Sequence, residues 1–216
     1  MARPKTSTAK SRKTYIVGIS GASGGIYAKR FVETLLAETN CRVDLIATTA
    51  GLRVFKGELG GDSDDPPKHQ PKNLLDYFDL TVAQRKRVEV LPNGDIGAGP
   101  ASGTYRAEAM IVIPCSMNTL AGIANGLQPK LIGRAAAVTL KEGRTLIVVP
   151  RETPLGLIEL RNMTALAEAG GIIMPANPGF YHRPETIEDL ADFIVQKVMD
   201  RLGIEVTGAF RWGKDG

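Results

Sequence analysis

Four short apolar runs, each followed by a helical pattern, constrain this chain more than any other feature. Thr14–Ile19 (TYIVGI), Arg42–Ala47 (RVDLIA), residues 109–113 (AMIVI) and residues 144–149 (RTLIVV) are rich in β-branched residues. They are continuous rather than alternating, as strands are when both faces of a sheet are covered. Between them the apolar spacing turns helical: Gly25–Glu38 (with Ile26, Phe31, Leu35 and Leu36 on one side), Thr49–Leu59, Met117–Ala124, 131–140, 157–169 and 184–202. Residues 87–91 and 171–174 are further strand candidates, 73–79 a helical turn, and 60–72, rich in Gly, Asp and Pro, a loop. Strands alternating with helices predict an α/β three-layer sandwich with a mostly parallel, Rossmann-like or flavodoxin-like sheet.

The 216 residues suit a single domain. No internal repeat is visible, and the 24 glycines cluster beside the apolar runs. Arg3, Lys5, Lys10, Arg12 and Lys13 stand near the start with no acid among them, so much of the net charge of +4 sits at one end. Residues 1–13 read as a solvated, disordered basic tail and 14–213 as the folded domain. The body is near neutral, which argues against nucleic-acid binding. Cys41 and Cys115 form neither a metal box nor a disulfide framework. No run approaches the roughly 18 apolar residues of a membrane span, and no signal peptide is visible. The expectation is a cytoplasmic protein bound to no membrane.

In such sheets ligands bind beyond the carboxyl ends of the strands, and four segments there carry unusual chemistry. Residues 18–25 (GISGASGG) place glycines and the hydroxyls of Ser20 and Ser23 at a helix start, where backbone N–H groups favour an anion. The spacing is neither GxGxxG nor a P-loop, and a plain strand–helix turn would look the same. Residues 114–119 (PCSMNT) put Ser116 where it can cap the next helix. The same hydroxyls and amide suit a phosphate or a flavin edge. Residues 150–154 (PRETP) hold an Arg–Glu pair between prolines; a surface ion pair would contribute little stability, so a functional role is favoured. Residues 177–184 (NPGFYHRP) cluster Tyr181, His182 and Arg183 in a proline-bracketed loop. Arg134 and Lys141, seven residues apart, share one helix face.

Taken in order, GISGASGG, ASGT, PCSMNTLAGIANG, RAAAVTLKE, VVPRETP and PGFYHRP resemble the UbiX-type flavin prenyltransferases, a family long described as aromatic-acid decarboxylases. The resemblance runs over nearly the whole chain, from about Tyr15 to Trp212. It implies a metal-independent enzyme joining a dimethylallyl group, from dimethylallyl monophosphate, to N5 and C6 of reduced FMN. The prenylated FMN serves a partner UbiD-type decarboxylase. It also implies a large homo-oligomer, with a dodecamer among the candidates and sites at subunit contacts.

By matching position, the resemblance assigns Gly21, Ala22, Ser23, Thr48, Ser116, Met117, Asn118, Thr119 and Arg151 to FMN. It assigns Ser102, Lys141, Tyr181, Lys197 and Trp212 to the prenyl substrate, and Glu58, Lys141, Glu152, Ser23 and Arg134 to catalysis, with the two carboxylates handling protons. Lys197 stands where the family commonly has arginine. Lysine keeps the charge but loses the bidentate fork.

The chief alternatives are an FMN-dependent cysteine decarboxylase, a true aromatic-acid decarboxylase and a non-catalytic flavin carrier. The first uses a histidine in mid-chain. Here the only histidines are His69 and His182, and 97–106 has none. A nicotinamide dehydrogenase fits poorly, because the glycine spacing is wrong and no acid ends the second strand.

Overall fold

In the computed structural model, which describes residues 12–60, 73–209 and Gly213, the apolar runs become the centre of one sheet. In chain order the elements are β1 (Thr14–Ile19), α1 (Gly25–Glu38), β2 (Arg42–Ala47), α2 (Thr49–Leu59), α3 (Val82–Arg85), β3 (Val88–Pro92), β4 (Ala109–Cys115), α4 (Met117–Ala124), α5 (Leu131–Lys141), β5 (Thr145–Pro150), α6 (Leu157–Glu168), β6 (Ile172–Ile173) and α7 (Ile187–Arg201). Single 3₁₀ turns occupy Leu74–Tyr77 and Gly99–Ala101.

The strand order is β3-β2-β1-β4-β5-β6 and every pairing is parallel. From β1 the chain builds outward through β2 and β3, then returns to place β4 on the other side of β1. The order therefore reverses between β1 and β4, and their carboxyl ends open the crevice where such sheets bind ligands.

Burial explains why the strands read so plainly. Every residue of β4 is buried, as are five of the six in each of β1, β2 and β5. One face of the sheet packs against α1, α7 and Phe55 of α2, and the other against α4, α5 and α6. On α1, Phe31, Val32, Leu35 and Leu36 are sealed from solvent while Ile26 is only half-buried. Truncating Phe31 to alanine would cost about 3–5 kcal/mol through lost burial and the cavity left behind. A fork from Arg30 to Asp192, with Nε–Oδ1 at 2.7 Å and Nη2–Oδ2 at 2.6 Å, ties α1 to α7.

The three-layer architecture is as expected, with a sheet parallel throughout. The differences lie at edges. The strand expected to stop before Pro114 runs on to Cys115, with a register irregularity between Val112 and Cys115. Proline has no N–H for the ladder, and the pairing resumes at Cys115. The last helix begins at Ile187 rather than 184, because Thr186 caps it and Asp189 closes the capping box. The four-residue α3, capped by Thr81, and the 3₁₀ turn at Gly99–Ala101 were not anticipated; both are too short for a period to register. Residues 1–11 of the basic stretch and the loop expected at 60–72, except Gly60, lie outside the described residues.

Candidate active site at the carboxyl edge of the sheet

Three helices start at neighbouring strand ends: α1 after β1, α2 after β2 and α4 after β4. Helix starts present N–H groups and a partial positive charge. The turn after β1 and the segment after β4 are fastened together by Ser20, which is wholly buried. Its hydroxyl accepts a 2.7 Å hydrogen bond from the Ser116 N–H and lies 3.2 Å from the Pro114 carbonyl, to which it donates. The Ser20 N–H reaches the same carbonyl at 3.2 Å. Ser20 is thus spent on the scaffold and does not present a hydroxyl to a ligand, which corrects the expectation from the sequence.

Around this clip lie the residues assigned to FMN. Ser116 caps α4, accepting from the Thr119 N–H, and its hydroxyl donates to Thr119 Oγ1 at 3.1 Å. Asn118 is exposed beside it and Met117 half-buried. Thr48 caps α2, accepting from the Gly51 N–H at 2.9 Å. A Cβ on Gly21 would fall 2.6 Å from that of Ala50, so a side chain there would push the turn away from α2. Ala22 is buried and Ser23 exposed. Arg151 Nε donates to the Ser23 carbonyl at 3.3 Å, and the Arg151 N–H to the Cys115 carbonyl. The end of β5 therefore joins the same crevice.

Two expectations change here. The Gly-rich turn was read as an anion seat at the start of α1. That seat holds the chain's own Glu58, whose carboxylate accepts from the Gly24 N–H at 3.0 Å and the Gly25 N–H at 2.7 Å. Arg151 and Glu152 were read as a pair, yet no ion pair between them occurs among the described residues. Arg151 turns to Ser23, while Glu152 is exposed and accepts from the Thr153 N–H at 3.2 Å. In extended chain, adjacent side chains point to opposite sides.

The loop after β6 returns to this edge, where the Ala176 N–H bonds the Pro150 carbonyl at 3.0 Å. It leads to Tyr181, whose ring stands edge-on to that of Phe193; Lys197 Nζ lies over the same ring, ten residues along α7 and so towards the amino end of the sheet. Among the described residues, no hydrogen bond joins the remaining candidates to this crevice. Ser102 lies in the crossover between β3 and β4, its hydroxyl 2.9 Å from that of Thr104. Arg134 Nε donates to the neighbouring Ala101 carbonyl at 3.2 Å. Lys141 ends α5 just before β5 begins, so it stands at the amino end of the sheet, away from the crevice. Trp212 lies outside the described residues.

Sequence reasoning missed Phe193, although it stands four residues before Lys197 on one helix, a spacing that puts both on one face. It also missed Tyr27 in the first turn of α1. Burial raises the Tyr27 phenol pKa, and the Arg151 charge opposes that shift. Cys115, sealed beneath the crevice, has its thiol pushed up to about 12 by burial, which leaves it no nucleophilic character at neutral pH.

Hydroxyls, a side-chain amide, helix starts and an arginine at one sheet edge suit a flavin mononucleotide, with polar anchors for the phosphate and ring edge. Among the described residues no cluster of three or more His, Cys, Asp or Glu could hold a metal, and no helix is long and apolar enough to cross a membrane.

The Flavoprotein family model matches residues 3–199. A Synechocystis protein named flavin prenyltransferase UbiX is 44% identical over 91% of this chain and 94% of its own. A crystal structure of AnUbiX (PadA1), described as a complex with FMN and dimethylallyl pyrophosphate, superposes with a TM-score of 0.79 at 34% identity, covering 93% of this chain and 97% of that one. A dodecameric FMN-dependent UbiX-like decarboxylase from Escherichia coli O157:H7 superposes with a TM-score of 0.77 at 35% identity, over 92% of this chain and 99% of that one. With relatives matched over more than nine-tenths of the chain, it belongs to the Flavoprotein family and, within it, to the UbiX flavin prenyltransferases.

Proposed function

We propose that this chain transfers a dimethylallyl group from dimethylallyl monophosphate to N5 and C6 of reduced FMN, releasing prenylated FMN to a UbiD-type decarboxylase. The observation that carries the reading is the convergence of residues 21–23, Thr48, residues 116–119 and Arg151 on one edge of the sheet. The similarity to AnUbiX, described with FMN and a dimethylallyl ester, supports it.

Reduced flavin supplies the electron-rich carbon and nitrogen that are alkylated. The protein's task is to hold the two reactants and stabilise the departing phosphate. Ser23, Thr48, Ser116, Asn118 and Thr119 anchor FMN. Arg151 bridges flavin and prenyl phosphate, and its bond to the Ser23 carbonyl fixes it beside the flavin turn. Tyr181 and Lys197 donate to the phosphate oxygens, where negative charge grows as the carbon–oxygen bond breaks. Closing the second bond at C6 requires one proton added to the prenyl double bond and one removed from C6, and Glu152, exposed at the edge, would carry that exchange. Glu58, held by two N–H groups, sets the turn that presents Ser23.

Ser102, Arg134 and Lys141 complete the site from a second copy of the chain. The place of Lys141 at the amino end of the sheet favours this, as does the dodecameric relative. So does α6, whose Leu157, Ile158 and Leu160 are exposed.

The test is anaerobic incubation of the protein with reduced FMN and dimethylallyl monophosphate or pyrophosphate, followed by mass spectrometry of the released flavin. A flavin heavier by one five-carbon unit is expected with the monophosphate. Unchanged FMN from protein that binds FMN, with either ester, would sink the reading in favour of a flavin carrier.

A further inference from the structure

We propose that Phe193 is a positioning residue for the prenyl-phosphate end of this site: its ring gathers Lys197 and Tyr181 so that both can reach one phosphate. The inference rests on the reading above and adds a residue to it.

Four groups meet at this half-buried ring. Lys197 Nζ lies 5.5 Å from its centroid. The Tyr181 ring stands edge-on at 5.6 Å and 79°. The His182 ring stacks nearly parallel at 5.3 Å and 12°. Gly179 completes the set: a Cβ there would come 2.9 Å from Tyr181 Cε1 and 3.1 Å from Phe193 Cζ. The loop is shaped to lie on the ring. A turn closes from the Arg183 N–H to the Phe180 carbonyl at 3.0 Å, with Arg183 in the left-handed region at φ 54°. Such a conformation is costly for a non-glycine residue and persists where surrounding contacts hold it.

The ring matters because of what it restrains. Lysine carries a compact charge on a flexible stem and lacks the planar fork that orients an arginine. An aromatic face attracts the ammonium and limits where the stem can place it. The same ring fixes the loop carrying Tyr181. Helix α7 is itself anchored by the buried Ile194, Val195 and Val198, so the platform is tied to the core.

The experiment compares wild type with Phe193→Leu, Phe193→Tyr, Lys197→Met and the double variant Phe193→Leu/Lys197→Met. Initial rates are taken against dimethylallyl monophosphate, with FMN affinity and melting temperature measured for each. Phe193→Leu is expected to raise KM for the prenyl ester about fivefold, the size of one lost cation–aromatic contact, with kcat and FMN affinity unchanged. Phe193→Tyr, which keeps the ring, should restore KM. On the Lys197→Met background the leucine change should add less than on wild type. An unchanged KM in Phe193→Leu, or a tyrosine variant as impaired as the leucine one, overturns the inference while leaving the prenyl-transfer reading intact. A wild-type protein that returns FMN unmodified overturns both.

Discussion

The hydroxyl of Ser20 accepts a 2.7 Å hydrogen bond from the backbone N–H of Ser116, and this contact helps to join the two chain segments assigned to FMN. They are 96 residues apart in sequence and follow the adjacent strands β1 and β4. Ser20→Ala leaves the Ser116 N–H without this partner, at a cost of about 1–3 kcal/mol. The cost falls where the flavin is to bind. FMN dissociation should rise roughly tenfold by fluorescence titration, with less change for Ser20→Thr, which keeps the hydroxyl. Equal affinity in the alanine variant would mean the segments align without the clip.

Glu58 was read from the sequence as a proton-handling carboxylate, and the structure gives it a nearer task. With both N–H groups of Gly24 and Gly25 on its oxygens, it caps a 14-residue helix. Glu58→Ala should cost about 1 kcal/mol, since a cap and a favourable charge at a helix start are both lost. Glu58→Gln keeps an acceptor and should cost less. In prenylation assays Glu58→Gln should retain more turnover than Glu152→Gln. If Glu58→Gln is the more damaged at full stability, the proton role returns to Glu58.

Asp44 lies fully buried in β2, with Oδ2 receiving the Tyr105 hydroxyl at 2.6 Å and Oδ1 unpartnered among the described residues. Burial raises its carboxyl pKa, partly opposed by the Tyr105 bond. The folded state therefore binds the proton more tightly than the unfolded one. Stability from this group is present below the ordinary carboxylate range, near about pH 4, and is lost as pH rises through the raised folded value. Asp44→Asn removes the buried charge, so it should melt a few degrees higher than wild type at pH 7. The gap should close as pH falls towards 4. Tyr105→Phe should do the opposite, costing about 1.5–3 kcal/mol at pH 7 by stripping the carboxylate of its donor. A pH-independent difference between Asp44→Asn and wild type would show that the carboxyl titrates alike in both states.

The sheet was legible because doubly covered strands must be apolar along their whole length, and 14–19, 42–47 and 144–149 announce themselves that way. β3 was faint for the converse reason: it is an edge strand, and Val88–Pro92 has no buried residue. The segments proposed for FMN stand out because they follow strand ends in sequence as well as in space. What could not be read was where side chains go once two such segments meet. Ser20 and Ser23 look alike in the string, yet one is sealed in the scaffold and the other faces out. Glu58 acquires its role from Gly24, 34 residues away. Phe193 was hidden because a phenylalanine on an amphipathic helix is ordinarily core.

Lys141 tests the assembly. Within one chain it is exposed at the C-terminal end of α5, 4.0 Å from its neighbour Glu142, at the amino end of the sheet. If it serves the prenyl phosphate, it serves the crevice of another copy. Lys141→Ala should abolish prenylated flavin while leaving FMN bound, because the flavin segments are intact. Glu152→Gln should also be inactive, through loss of the proton acceptor. Each variant lacks a residue from a different side of the shared site. After co-expression in one cell, random mixing should therefore give about a quarter of sites both residues, and activity should return towards that fraction of wild type. Were Lys141 and Glu152 of one chain to act together, mixed assemblies would remain as inactive as either parent. Co-expression yielding oligomers with no recovery would thus refute the shared site, and recovery from two inactive parents has no single-chain explanation.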